Sequence, residues 1–160
     1  MNEHYEARKE NYFISTDVSK LNVDLIHRYL SEESYWAKGI PKDIVEKSIA
    51  NSLCFGVYCS DEQTLPAGRQ VGFARLVTDK ATFAYLADVF ILPAYRGKGL
   101  SKFLMEIING HPELQGLRRW WLFTKDAHGL YEQFGWTSIQ DDISKRSMQK
   151  HNPDVYKNNV

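Results

Sequence analysis

The sequence predicts an α+β fold in which a mixed, mainly antiparallel central sheet is flanked by about four helices. Two observations carry this prediction. Three strand-like segments follow one another between residues 53 and 92, and segments with helical periodicity precede and follow them. The 160 residues fit one domain, because domains usually run to about 100–200 residues. We therefore expect a single domain over residues 1–160, with 1–10 as a loosely ordered N-terminal extension.

The first third of the chain predicts one strand and two helices. The segment from Tyr12 to Thr16 has the composition of a short strand. Apolar side chains then recur on one face of a helix that Asp17 or Ser19 can cap. They are Leu21, Leu25, Tyr29 and Leu30. The stretch from Ser31 to Ile40 is predicted to be a loop, and Pro41 suits the first turn of a second helix.

The middle of the chain predicts an antiparallel meander of three strands. Its strands are expected over Leu53 to Tyr58, Val71 to Thr78 and Thr82 to Leu92, which are rich in apolar, β-branched and aromatic residues. The stretch from Asp61 to Gln70 contains a proline and a glycine, so we expect it to form the turn or loop between the first two strands.

The last third predicts a long amphipathic helix and several shorter elements. Apolar residues lie three, four, seven and eight positions after Leu100, as on one face of a helix. Asn109 with Gly110 is expected to end this helix. A strand is expected from Arg119 to Thr124 and a short helix from Asp126 to Phe134. In the tail we expect one or two further strands, including Ser147 to Gln149.

Charge and composition argue against several classes of partner. The 20 Lys and Arg residues balance 20 Asp and Glu residues, whereas a nucleic-acid coat protein needs a basic excess to displace counterions. Met1 to Glu10 lacks the apolar segment of a signal peptide, and no stretch reaches the roughly 18 apolar residues of a membrane span. Cys54 and Cys59 do not have zinc-site spacing, so we expect two buried, reduced thiols and no metal. These features predict a cytoplasmic protein without nucleic-acid or membrane partners.

One segment predicts an anion site. A strand runs through Ile91 into a glycine-containing turn, which opens directly into the helix at Leu100. Gly97 and Gly99 remove side chains where an anion would approach. Three cations and no acid lie between residues 93 and 105, namely Arg96, Lys98 and Lys102. A nucleotide P-loop and a dinucleotide fingerprint both require glycine spacings that this segment lacks.

Two motifs resemble the GNAT superfamily of N-acetyltransferases. Arg96-Gly97-Lys98-Gly99-Leu100-Ser101 resembles the family's Arg/Gln-x-x-Gly-x-Gly/Ala loop, which holds the pyrophosphate of acetyl-coenzyme A. The segment from Asp88 to Pro93 resembles its fourth strand, and Thr124 to Trp136 resembles its Ala-x-x-Leu-Tyr-x-x-Phe/Leu-Gly-Phe/Trp signature. Ser101 replaces the usual Gly or Ala, and Thr124 replaces an Asn found in many members.

The resemblance implies acetyl transfer from acetyl-CoA to an amine, by direct attack in a ternary complex. It assigns acetyl-CoA binding to residues of the loop, the strand before it and the second signature. They are Phe90, Ile91, Arg96, Gly97, Lys98, Gly99, Leu100, Ser101 and Thr124. Phe90 and Ile91 would act through their backbone groups, which would pair with the pantetheine chain and polarise the thioester carbonyl.

The resemblance also assigns the chemistry. Tyr131 matches the family's general acid, and the alternative is a tyrosine that only packs in the core. Asp88 interrupts an apolar strand and is a candidate general base, with a structural aspartate as an equal alternative. Tyr35 and Trp36 could wall the acceptor pocket. Arg75 would pair either with Asp88 or with an acidic group of the substrate.

Other functions stay open at this point. A non-catalytic acyl-CoA sensor on the same fold would keep Arg96 to Ser101 without needing Tyr131. The acceptor could be a small amine or a peptide N-terminus, and a homodimer is also open. A nucleic-acid or nucleotide module built on the basic loop is disfavoured by the zero net charge and the missing P-loop.

Overall fold

The computed structural model describes residues 3–61 and 68–157, and its strands form one sheet that follows the order of the chain. The strands are β1 (Glu6–Lys9), β2 (Tyr12–Ser15), β3 (Leu53–Cys59), β4 (Arg69–Thr78), β5 (Phe83–Ile91) and β6 (Arg119–Leu122). Neighbours are antiparallel from β1 to β5, and β6 runs parallel to β5. The predicted mixed, mainly antiparallel sheet with its central meander is confirmed.

Helices cover both faces of the sheet. They are α1 (Val23–Arg28), which continues into a π turn (Tyr29–Glu33), α2 (Lys42–Ala50), α3 (Leu100–Gly110), α4 (His128–Glu132) and α5 (Asp141–Arg146). Side chains of α1 and α2 pack on Phe73 and Phe90 of the sheet. Side chains of α3 pack on the other face, in a core that contains Phe55, Leu76 and Tyr131.

Helix α1 is capped differently from the prediction. Asn22 is its N-cap and accepts a hydrogen bond from the Leu25 amide at 3.1 Å. Asp17 instead caps a separate 3-10 turn over Val18–Lys20 by accepting from the Ser19 amide. The reason is that the chain makes this extra turn before the helix begins, so the cap lies five residues later than Asp17.

Both ends of the chain differ from the prediction. Part of the extension 1–10 forms β1, which pairs with β2 over four residues. The strand expected at Ser147 to Gln149 is absent from the described part of the tail, where α5 ends at Arg146. Ser147, Met148 and Gln149 are all exposed and pair with none of the described strands, so their backbone lacks the ladder that a strand needs. Of the predicted loop from Asp61 to Gln70, residues 62–67 lie outside the described residues.

The sheet opens between β5 and β6. These strands pair only from Phe83 to Leu86 on β5, so the second half of β5 has no strand on that side among the described residues. The register of β4 and β5 shifts between the pairs Arg75↔Ala87 and Phe73↔Phe90, which gives β5 one extra residue. This β-bulge bends the strand away from β6. The resulting gap lies beside the residues predicted to carry the chemistry.

Two further features concern partners and thiols. Within residues 3–61 and 68–157, no helix is both long and apolar enough to cross a membrane. The same described residues contain no group of three or more His, Cys, Asp or Glu side chains suited to a metal ion. Cys54 and Cys59 are buried, and burial raises the pKa of Cys54 to about 12.

Stability is expected to fall in mild acid because of His111. This side chain is buried against the rings of Tyr5 and Phe55, and its Nδ1 accepts a hydrogen bond from the Glu113 amide at 3.2 Å. Burial lowers the pKa of His111 from its ordinary value of 6.5. The unfolded chain therefore takes up the proton first, so this stabilisation is present above pH 6.5 and is lost as the pH falls towards the lower folded pKa.

Urea unfolding measured from about pH 7.5 to about pH 5 tests this expectation. The free energy of unfolding should decrease over this window in the wild type. His111→Asn, which keeps an acceptor near the Glu113 amide but cannot be protonated, should flatten the decrease. The same slope in both proteins would show that His111 does not control it.

Candidate active site

Asp88 lies at the bulge of β5 and accepts hydrogen bonds from two side chains. Its φ of +54° is the left-handed conformation, which aspartate tolerates better than most residues. Oδ2 accepts from Nε of Arg75 at 2.8 Å, and Oδ1 accepts from Nε1 of Trp36 at 2.9 Å. The Arg75 guanidinium also donates to the hydroxyl of Ser52 at 3.1 Å. The structure therefore pairs Arg75 with Asp88, which is one of its two predicted partners.

The loop after α1 bridges the gap between β5 and β6. Trp36 binds Asp88 on β5, while the hydroxyl of Tyr35 accepts from the backbone amide of Lys125, just after β6, at 3.1 Å. The two aromatic rings meet edge to face at 5.0 Å. The hydroxyl of Ser34 donates to the Leu30 carbonyl at 2.6 Å and fixes the start of the loop. The predicted pocket wall thus spans the opening of the sheet.

A cavity of about 400 Å³ lies under this loop, and we call it the acceptor cavity. It brings together the predicted catalytic residues, the predicted substrate residues and Thr124, a residue predicted to bind acetyl-CoA. They are Tyr35, Trp36, Arg75, Asp88, Thr124 and Tyr131. Its lining also includes Tyr85, Phe123, Asp126 and Tyr156, which sequence reasoning missed. The sequence could have suggested Tyr85 and Asp126 as lining residues, because both lie close to the predicted site residues along the chain.

Tyr131 lies on α4 and lines the acceptor cavity. Tyr131 is only 8% exposed, and its ring packs edge-on against Trp136, with the ring centroids 5.9 Å apart. Burial, with smaller contributions from Tyr35 and Asp126, raises the pKa of Tyr131 to about 12. No group in the described part of the chain hydrogen-bonds the Tyr131 hydroxyl. The phenol is therefore neutral near pH 7 and can donate its proton towards the cavity.

Thr124 has a local structural role. Its hydroxyl oxygen accepts a hydrogen bond from the amide of Ala127 at 3.0 Å, and so holds the turn that leads into α4. This turn sets the position of Tyr131 on the first turns of the helix. The residue also lines the acceptor cavity, where its remaining lone pair and its proton stay available.

A second cavity, of about 390 Å³, lies over the anion loop and is called the loop cavity. Of the residues predicted to bind acetyl-CoA, it is lined by Ile91, Arg96, Gly97, Gly99, Leu100 and Ser101. Lys98 is exposed but does not line it, and Lys102 does. Leu130 and Gln133 of α4 and its C-terminal flank form the facing wall.

The geometry of the loop suits an anion. Gly97 and Gly99 have φ values of +78° and +77°, and a Cβ on either would meet no atom within 4 Å. Gly99 is the N-cap of α3, and no side chain from the described part of the chain caps the helix. The first amides of α3 therefore stay available to a ligand, at the positive end of the helix dipole.

Arg96 is turned inwards. Its Nε donates to the carbonyl of Ile91 at 2.9 Å, and its guanidinium also donates to the hydroxyl of Tyr29 at 3.0 Å. The Tyr29 ring stacks on Phe90 at 3.9 Å. Arg96 thus braces the loop against β5 and the π turn after α1, while its charge stays beside the loop cavity. Sequence reasoning missed this contact, because Tyr29 carried only the signal of a core helix residue.

The two predicted backbone groups of β5 face in opposite directions. The Leu92 amide donates to the Val71 carbonyl at 2.8 Å, and the ladder pairs Gly72 with Ile91 and Phe73 with Phe90. Bonded and non-bonded pairs alternate along an antiparallel ladder. The backbone groups of Phe90 therefore face β4, and those of Ile91 face the gap. The backbone groups of Ile91 are thus open towards the gap, whereas those of Phe90 are engaged in the ladder with β4.

Comparison with known proteins gives consistent matches. Residues 50–138 match the family model described as an acetyltransferase (GNAT) domain. A protein of Gibberella zeae assigned as an acetyltransferase is 36% identical over 136 residues, with 76% of each chain covered. An uncharacterized ycf52-like N-acetyltransferase of Prochlorococcus marinus is 32% identical over 127 residues, covering 78% of this chain and 68% of that protein.

A solved structure agrees with these matches. The chain is similar to a protein of Xanthomonas campestris pv. campestris that is assigned to the GNAT family of acetyltransferases. The two are 48% identical with a TM-score of 0.81, and the match covers 91% of this chain and 96% of that chain.

Proposed function

The chain belongs to the GNAT family of acetyltransferases, and from this premise we propose that it transfers an acetyl group from acetyl-CoA to an amine by direct attack in a ternary complex. One observation carries the proposal. The loop cavity and the acceptor cavity both border β5 and α4, with Tyr131 lining the second of them. Two substrates held side by side in this way react faster, because binding fixes their relative orientation.

The loop cavity fits the pyrophosphate of acetyl-CoA. The free amides at the start of α3 and the charges of Arg96 and Lys102 favour an anion there. The open space at Gly97 and Gly99 lets phosphate oxygens approach the backbone. The backbone of Ile91 faces the gap, where the pantetheine arm would lie on its way to the acceptor cavity.

Tyr131 supplies the general acid. The neutral amine nitrogen forms a bond to the acetyl carbon and gives up one proton to the general base, the carbon–sulfur bond breaks, and the leaving sulfur takes the phenolic proton. The raised pKa of Tyr131, about 12, keeps the phenol protonated near neutral pH, so that the proton is present when the carbon–sulfur bond breaks. The ionised phenol then regains a proton from solvent.

Asp88 is proposed as the general base, acting directly or through water. Each of its carboxylate oxygens accepts one side-chain hydrogen bond from the described residues, so lone pairs remain on both. Trp36 and Arg75 hold the carboxylate in place beside the acceptor cavity.

The variant Asp88→Asn tests this role. An asparagine oxygen can still accept from Trp36, so the loop contact should persist. We expect kcat/KM to fall by about a hundredfold, which is typical of a lost general base, and the acidic limb of the pH–rate profile to shift. An unshifted profile would place the base elsewhere or leave the role to water.

The reaction itself is tested by release of free thiol from acetyl-CoA in the presence of an amine library. Release that depends on an added amine supports the proposal. Binding of acetyl-CoA in calorimetry without thiol release for any amine would instead favour a non-catalytic acyl-CoA sensor.

A further inference from the structure

The acceptor cavity carries one uncompensated negative charge. Among its lining residues the charged ones are Arg75, Asp88 and Asp126. Arg75 and Asp88 form an ion pair at 2.8 Å, with both side chains largely buried, so their charges cancel. Asp126 is exposed and forms no ion pair or hydrogen bond with any residue in the described part of the chain. Its carboxylate is therefore available to a ligand.

Asp126 lies close to the reacting centre. It lines the same cavity as Tyr131, five residues before it and ahead of the first turn of α4. After burial and Tyr35, its charge is a third cause of the raised pKa of Tyr131, which requires that the two side chains lie near each other. A cation paired with Asp126 would thus sit within reach of the position where the acetyl group is transferred.

The rest of the cavity lining is rich in aromatic rings. They belong to Tyr35, Trp36, Tyr85, Phe123 and Tyr156. Phe123 is 71% exposed and its ring contacts Tyr85 edge to face at 6.0 Å. Aromatic faces attract organic cations and bury apolar groups. Such a lining offers little to a sugar or a phosphate.

We propose that the acceptor is a small organic cation, an amine with an aromatic or other apolar body and no acidic group, and that Asp126 selects it. The inference rests on the proposed function and deepens it. The ammonium pairs with Asp126 and the body packs between the rings, and the ammonium loses one proton to the proposed base Asp88, directly or through water, before its nitrogen attacks. A carboxylate on the same molecule would meet the charge of Asp126, while Arg75, the one cation among the described residues of the lining, is already bound to Asp88.

Three related amines test the proposal. We expect 2-phenylethylamine and phenylalanine amide to be acetylated with a kcat/KM at least about tenfold above that of phenylalanine, because only phenylalanine brings a carboxylate. Asp126→Asn should remove this preference by lowering kcat/KM for the two amines and raising it for phenylalanine, with KM for acetyl-CoA unchanged. Asp142→Asn neutralises an exposed carboxylate outside both cavities and should preserve the preference. Equal use of all three amines by the wild type, or a preference that survives Asp126→Asn, would overturn the proposal.

Binding separates this inference from the proposed function. Trp36 lines the acceptor cavity, so amine binding should change the tryptophan fluorescence of the wild type but not of Trp36→Phe. Binding of 2-phenylethylamine without thiol release would leave the substrate class standing and refute acetyl transfer. Thiol release with phenylalanine as the best of the three substrates would support acetyl transfer and refute the proposed substrate class. Fluorescence titrations in which phenylalanine binds as tightly as 2-phenylethylamine would also overturn the proposed class.

Discussion

Tyr131→Phe is expected to lower kcat by about a hundredfold to ten-thousandfold, the usual contribution of a general acid, and to leave KM for acetyl-CoA within about twofold. The change removes one oxygen and keeps the ring against Trp136. No hydrogen bond within the described residues is lost, because the Tyr131 hydroxyl makes none there. The loss should therefore appear in the chemical step and not in stability. Stopped-flow measurement of thiol release at saturating substrates checks it.

The chain offers a matched control in Tyr58→Phe. Tyr58 is also a buried tyrosine whose pKa is raised by burial, but it lies on β3 and lines neither cavity. Its hydroxyl is buried without a hydrogen-bond partner in the described structure, so removing it should leave stability unchanged or slightly higher. Activity should also be unchanged. A similar loss of kcat in both variants would mean that Tyr131 acts only through packing.

Local patterns were sufficient to predict most of the fold. The helix from Leu100 and the three strands of the meander follow from periodicity, because each buries one continuous apolar face. β1 could not be found in this way, since Glu6, Arg8 and Lys9 are largely exposed and the strand exists through its pairing with β2. An edge strand of this kind is determined by its neighbour and not by its own composition.

The residues that share the acceptor cavity could be predicted from the sequence more readily than their orientation. The acceptor cavity does contain Tyr35, Trp36, Arg75, Asp88 and Tyr131. No sequence pattern indicated the bulge that turns Asp88 to a φ of +54°, because a bulge depends on the register of two strands. It also did not reveal that Arg96 binds Tyr29, 67 residues earlier in the chain. Contacts of such separation depend on the assembled tertiary structure.

Gly99→Ala is expected to weaken acetyl-CoA binding by about tenfold or more, which corresponds to at least about 1.4 kcal/mol. The new methyl group would meet no protein atom within 4 Å, so it would project into the space left for the ligand at the start of α3. The left-handed φ of +77° also costs an alanine about 1–2 kcal/mol. Calorimetry with acetyl-CoA gives the binding change, and urea unfolding gives the stability change.

Gly116→Ala separates these two effects. Gly116 has a φ of +83° and equally open surroundings, but it lines neither cavity. Backbone strain should therefore lower the free energy of unfolding of both variants by a similar amount, while only Gly99→Ala loses affinity for acetyl-CoA. If both variants lost affinity equally, the loss would come from general destabilisation. If neither did, the start of α3 would not hold the anion, and the loop cavity would have to be discarded as the acetyl-CoA site.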